Sequence, residues 1–148
     1  MKVEYDNLYT HFVFTTLNRM PLILDKSRQR IEKYMTGIMH NNGCRLYTIY
    51  ANPEHVHFLV SRSPCMDEER LATIIANSSE RFINDNKLCV GLFQWQASCS
   101  AFSVSKGDIS KVCNYIENQK EHHTKQSYIE EYKTFLEFYQ QTINKGKK

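Results

Sequence analysis

The segment Ala51-Asn52-Pro53-Glu54-His55-Val56-His57-Phe58-Leu59-Val60 constrains the fold more than any other stretch of the chain. Asn52-Pro53 is turn chemistry, and the apolar run from His55 onward reads as a strand leaving that turn. Side chains alternate across a strand, so His55 and His57 project from one face while Val56 points the other way. Two imidazoles side by side can chelate a divalent ion. The same spacing also suits the polar, solvated face of a half-buried strand. Spacing alone leaves both readings open.

The flanking pattern predicts where that strand sits. Leu8 to Thr16 is a second strand-like run, rich in β-branched and aromatic residues. Asp25 is expected to cap a helix carrying Ile31, Tyr34, Met35, Ile38 and Met39 at helical spacing, with Gly43 as a left-handed stop. Cys44 to Tyr50 pairs with His55 to Ser61 as a hairpin across Asn52-Pro53. A helix follows from about Asp67 to Asn84, with Leu71, Ile74, Ile75, Ser78 and Phe82 inward. Phe93 to Ser98 is expected as a fourth strand, with Ala101 to Val104 extended after it. Ser105-Lys106-Gly107-Asp108 resembles a capping box opening a helix through Val112, Tyr115 and Ile116 to about Gln119. A last helix from Ser127, with Tyr128, Tyr132, Phe135, Leu136 and Tyr139, offers a packing stripe. This order predicts an α+β, ferredoxin-like sandwich over residues 1–148 as a single domain. Its antiparallel sheet carries helices on one face, and further helices follow at the C-terminus. RNA-binding modules, small enzymes and metal chaperones share that architecture, so fold alone assigns no function.

Composition narrows the setting. A chain of 148 residues, 41% hydrophobic, can bury a proper core. No apolar run reaches the roughly 18 residues a membrane span needs, and no signal-peptide pattern opens the chain, which is therefore expected to be cytoplasmic. The five cysteines are scattered with no Cys-x-x-Cys pair, which argues against structural zinc and a disulfide framework and for reduced thiols. A net charge of +3 does not by itself imply nucleic acid. Arg19, Lys26, Arg28, Arg30 and Lys33 cluster early, and Lys145-Gly146-Lys147-Lys148 ends the chain. Such clusters neutralise phosphates or simply solvate a helix face.

Tyr115 and Gln119 are four residues apart, so on a continuous helix they share a face one turn from each other. A tyrosine, an amide and two histidines are not the equipment of a serine or cysteine hydrolase. They suit a nucleophilic phenol attacking a phosphodiester beside a metal. A phenol with a reference pKa of about 10 is nearly all protonated at neutral pH, so it needs electrostatic help. His122 and His123 are adjacent and point apart, which argues against joint ligation, and His11 on the first strand reads as structural.

Taken in order, several segments resemble one family. They are Thr10-His11-Phe12-Val13-Phe14-Thr15-Thr16-Leu17-Asn18-Arg19; Asn52-Pro53-Glu54-His55-Val56-His57-Phe58-Leu59-Val60; Phe93-Gln94-Trp95-Gln96; Ala101-Phe102-Ser103-Val104-Ser105; and Tyr115 to His123. The chain is similar to the single-tyrosine transposases of the His-hydrophobe-His nuclease superfamily, of the insertion-sequence-200 type, and to their domesticated repeat-associated relatives. The resemblance covers most of residues 8 to 140.

What it implies is specific. His55, His57 and Gln119 would hold one divalent metal, magnesium or manganese, since phosphate oxygens prefer hard cations and imidazoles admit transition ions. Tyr115 would attack single-stranded DNA with hairpin ends, giving a 5′-phosphotyrosine and a free 3′-hydroxyl. The competing expectations are a noncatalytic nucleic-acid-binding protein of the same fold and a small metal-binding hydrolase that uses water. Arg19, Trp95 and Lys106 are the DNA-contact candidates; Trp95 and Phe102 suit either base stacking or the core. A homodimer is expected, to supply two nucleophiles, with the first strand as a candidate pairing edge and the tyrosine helix able to dock on a partner's histidines. Relatives tend to carry glycines where this chain has Ala97-Ser98-Cys99-Ser100, so serine there is expected to strain any backbone needing positive φ.

Overall fold

The structure is a computed structural model that describes residues 1–121 together with 130, 133, 136 and 137. It divides into two compact units, Met1–Glu117 and Asn118–Lys148. His122, His123 and most of the helix expected from Ser127 lie outside the described residues; Glu130, Lys133, Leu136 and Glu137 are helical.

The first unit is a four-stranded antiparallel sheet in the order β2-β3-β1-β4. Its strands are β1 (Tyr9–Thr15), β2 (Arg45–Ala51), β3 (His55–Ser61) and β4 (Ser100–Val104). Helix α1 (Arg28–Asn41) lies between β1 and β2, and α2 (Glu68–Asp85) between β3 and β4. α3 (Ile109–Glu117) follows β4 and packs on β2 and β3. This is the α+β, ferredoxin-like sandwich that the alternation of elements implies.

Strand β3 runs between β2 and β1, and six of its seven residues are buried. Both of its faces are covered, which is why the histidine face is not solvated. Register separates the two faces. Phe12 pairs with Phe58 and packs parallel to it at 5.1 Å, and Phe14 meets Phe58 edge-on at 5.1 Å. With Val56, Val60, Ile31, Met35, Leu71, Ile75 and Ile83 they form the main core. The opposite face carries His11, Val13, His55, His57 and Leu59, all buried.

Local chemistry accounts for most element boundaries. Asp67 caps α2 by accepting the Arg70 N–H at 2.8 Å. Gly43 sits at φ +71° after α1, the left-handed stop expected of it. Asp25 does not cap α1: it opens a 3-10 turn, Asp25–Ser27, and Ser27 precedes the helix without a side-chain cap bond. At Ser105 the hydroxyl donates to the Asp108 carboxylate at 2.9 Å, so the two side chains bond each other instead of the backbone.

The fourth strand is not where the aromatic pattern put it. Residues 93–98 are irregular, joined to β1 by a single bridge, Thr16 to Trp95, and the strand is Ser100–Val104. Phe93 and Trp95 are inward because they are core residues, and aromatic enrichment tracks burial as much as strand backbone. The Asn84 side chain takes the place of a ladder for Phe93, accepting its N–H at 2.8 Å and donating to its carbonyl at 3.0 Å. β1 is flanked on both sides, so it offers no pairing edge; the sheet edges are β2 and β4. None of Ala97, Ser98, Cys99 and Ser100 has positive φ, so serine is accommodated there without the expected strain.

Candidate active site

Strand parity brings the histidines together on the face that α3 covers. His55 and His57 are 1% and 3% exposed, with ring centroids 4.9 Å apart in a T-shaped arrangement. The adjoining strand contributes a third imidazole. His11 pairs across from Leu59, which places it diagonal to His57, and His11 Nε2 lies 3.0 Å from His57 Nδ1. Burial, helped by the neighbouring His57, pushes the His11 imidazole well below its ordinary range and keeps it neutral.

The turn before β3 supplies the rest of the surroundings. The Asn52 N–H donates to the His55 carbonyl at 2.8 Å, and the Ile23 N–H donates to the Pro53 carbonyl at 3.0 Å. Thr16, fully buried, donates its backbone N–H to the Glu54 carbonyl at 2.9 Å, with its hydroxyl 3.1 Å from the same oxygen. Glu54 precedes the strand, so strand alternation does not turn its side chain away, and its Oε1 lies 3.1 Å from His55 Nδ1. On the other side of the same ring, Asn52 Nδ2 lies 3.2 Å from His55 Nε2.

Helix α3 delivers the tyrosine. Val112 and Ile116 are its buried residues, and the Tyr115 ring meets His57 edge-on at 5.6 Å and His11 at 6.4 Å. The helix therefore docks on the histidines of its own chain. Asn118 forms a turn after α3, and Gln119, helical again, belongs to the second unit. Among the described residues no group of three or more His, Cys, Asp or Glu side chains could hold a metal.

The DNA-contact candidates separate. Arg19 and Lys106 are exposed, and Arg19 follows Asn18 in the left-handed region, both at φ 56°. Trp95 is 8% exposed. Its ring packs edge-on to Phe93 at 4.8 Å and Phe14 at 5.4 Å, and its Nε1–H donates to Ser79 at 3.0 Å. It is a residue of the core cluster. Phe102 is half-buried on β4. His11, read from the sequence as structural, and Glu54 and Asn52, quoted there without a role, are the site residues that sequence reasoning passed over.

Comparison with known proteins decides the family. The profile described as "Transposase IS200 like" matches residues 4–119, about three quarters of the chain. The chain belongs to the IS200-like transposase family. The fold agrees with the crystal structure of a candidate transposase from Deinococcus radiodurans R1, with TM-score 0.62 and 21% identity over 80% of this chain and 96% of that one. It is also similar to a REP-associated tyrosine transposase bound to a REP hairpin, with TM-score 0.61 and 14% identity over 83% and 72% of the two chains. At these identities the likenesses show the fold alone. No curated protein matches this IS200-like chain by sequence. All five cysteines are free, and no helix among the described residues is long and apolar enough to cross a membrane.

Proposed function

We propose that this transposase cuts and rejoins single-stranded DNA through a covalent bond to Tyr115, beside a divalent metal held by His55, His57 and Gln119. One observation carries the reading: in a chain of this family, the Tyr115 ring packs against His57 at 5.6 Å on the buried histidine face. The donor chemistry fits a metal. Two imidazoles share one strand face, and each has a ring nitrogen within hydrogen-bond distance of a fixed side chain, Glu54 for one and His11 for the other. Gln119, four residues beyond Tyr115, is the amide that the family resemblance supplies as third ligand. Magnesium or manganese bound there would neutralise phosphoryl charge and orient the scissile group.

The chain's own residues do the rest. Tyr115 Oη attacks phosphorus, giving up its proton as the new P–O bond forms. The bond from phosphorus to the 3′ oxygen breaks, and that oxygen takes a proton to leave as the 3′-hydroxyl. Attack by a 3′-hydroxyl on the phosphotyrosine reverses the step, so the strand is rejoined without an external energy source. Arg19 and Lys106, exposed on the surface, are suited to the DNA backbone. The REP-associated neighbour is bound to a REP hairpin, and we extend a hairpin-bearing DNA to this chain. Exchange of two ends calls for two nucleophiles and hence a homodimer, which would pair through β2 or β4.

A labelled hairpin oligonucleotide incubated with Mn2+ and resolved on a denaturing gel tests the chemistry. A protein–DNA adduct is expected with the wild type and none with Tyr115→Phe, which keeps the ring and loses the attacking oxygen. An undiminished adduct in that variant removes Tyr115 from the mechanism.

A further inference from the structure

We infer that the groove between α1 and α2 is a second DNA site, which holds an unpaired base on Tyr34 and its flanking phosphates on Arg30 and Lys33. The inference rests on the DNA reading above and deepens it. Helices α1 and α2 supply Ile31, Met35, Leu71 and Ile75 to the core on the Phe12 and Phe58 face of the sheet, whereas Tyr115 meets His57 on the opposite face. The groove therefore anchors a strand that is cut elsewhere.

The groove measures about 470 Å3, within the range of small-ligand sites, and its walls join two aromatic rings to two cations. Tyr34 and Phe82 stack face to face across the two helices, with centroids 3.8 Å apart and planes 4° from parallel. Phe82 covers one face of the tyrosine ring, and Tyr34 remains 37% exposed. Arg30, one turn before Tyr34, holds its guanidinium 5.5 Å from the Phe82 centroid and donates from Nη2 to Asn86 Oδ1 at 3.0 Å. Asn86 is a neutral amide, so this bond orients the cation without cancelling its charge. Lys33 is exposed, and none of the described residues lining the groove is acidic. Aromatic surface flanked by positive charge complements an unpaired nucleotide, whose base stacks while its phosphates meet the cations. A paired stem would use the cations and leave the rings idle.

Gly37 is the independent sign. It lies in the interior of α1, where glycine is the poorest helix former after proline. Packing does not require it: a Cβ built there meets no heavy atom within 4 Å beyond its own helical backbone, and its φ is not positive. The missing side chain serves no contact of the fold. What it does is keep the groove open along α1 between Tyr34 and Asn41. Asn41 brings an amide that both donates and accepts, as the edge of a base requires.

Fluorescence anisotropy of a fluorescein-labelled hairpin oligonucleotide with a single-stranded extension, read in EDTA, separates affinity from cleavage. Loss of one base–aromatic stack predicts about 5- to 150-fold weaker binding in Tyr34→Leu. Gly37→Leu fills the groove while improving helix propensity, so it should lose a similar factor with no fall in melting temperature. Arg30→Gln combined with Lys33→Gln should flatten the slope of log affinity against log salt by about 1.4. With 5-iodouracil in the extension, ultraviolet cross-linking should label Tyr34. Wild-type affinity in a folded Gly37→Leu, or a fully paired duplex competing as well as the single strand, overturns the inference. So does a Gly37→Leu that binds DNA normally but loses self-association, which would give the groove to a second copy of the chain. The Tyr115 adduct is scored separately. Its absence, with binding still weakened in the groove variants, sinks the covalent chemistry and leaves the groove standing.

Discussion

Replacing Ser79 with alanine tests how the irregular segment after α2 is held. The Ser79 hydroxyl, fully buried, accepts the Trp95 Nε1–H at 3.0 Å and donates to the Ile75 carbonyl at 2.6 Å. Ile75 keeps its helical N–H donor when the hydroxyl is lost, so the group left stranded is the indole N–H. An unsatisfied buried donor costs about 1–3 kcal/mol, and alanine returns roughly 0.5 kcal/mol of helix propensity, for a net loss of about 0.5–2.5 kcal/mol. With a urea m-value of about 2 kcal/mol/M, the midpoint should fall by roughly 0.25–1.25 M. Trp95 is the single tryptophan, so its native emission reports the site directly and should shift red in Ser79→Ala. The consequence reaches the exit of β1. Residues 94–96 fasten that loop through Leu17 N–H to Gln94 O, Gln96 N–H to Thr15 O and Asn18 N–H to Gln96 Oε1. A midpoint within about 0.1 M of wild type with unchanged emission, a threshold set below that range, would refute the reasoning.

Two further outcomes follow from single side chains. Glu32 accepts the Ala51 N–H at 2.9 Å and pairs with Arg28 at 3.1 Å, yet burial raises its carboxyl above the ordinary value. A raised folded pKa means the folded state holds the proton more tightly, so Glu32 contributes most below the unfolded carboxylate range and loses that contribution as pH rises through the folded value. The melting-temperature difference between wild type and Glu32→Gln should therefore favour wild type more at pH 4 than at pH 7, and an opposite slope would show that Arg28 outweighs burial. A Cβ at Gly43 would meet only Ser63 Cβ, 3.7 Å away, and Ser63 Oγ, 3.9 Å away, so Gly43→Ala should cost about 1–2 kcal/mol in chemical denaturation from the φ of +71° alone, and Gly43→Asn less.

The fold was legible where local pattern and tertiary demand agree. Strand β3 is His55–Ser61 as read from the turn and the apolar run, and α2 begins after Asp67 as its cap chemistry dictates. It was illegible where burial mimics a secondary-structure period. Phe93 and Trp95 alternate with polar residues as a strand would, but Asn84, Ser79 and one bridge at Thr16 hold that segment instead. The sheet order was beyond the reach of the sequence too. Nothing in Leu8 to Thr16 says that β4 returns to its free side, and that return removes β1 as an edge and buries His11 beside His57.

The site divides along the same line. Two histidines at i and i+2 share a strand face by geometry, and that geometry does not depend on which fold surrounds the strand. Tyr115 needed the docking of α3 on β2 and β3 to arrive at 5.6 Å from His57, which periodicity cannot supply and the family resemblance anticipated. Glu54 shows the limit most clearly. Adjacent positions in a strand point to opposite faces, so alternation alone puts a carboxylate at position 54 away from His55. It reaches the ring because the strand starts one residue later, where the Asn52 N–H closes on the His55 carbonyl and Thr16 grips the Glu54 carbonyl. Shifting the strand start by one residue would leave the sequence motif intact and dissolve the carboxylate–histidine pair. The turn, held by contacts from Thr16 and Ile23 more than 25 residues away in sequence, is therefore as much a part of the site as the histidines themselves.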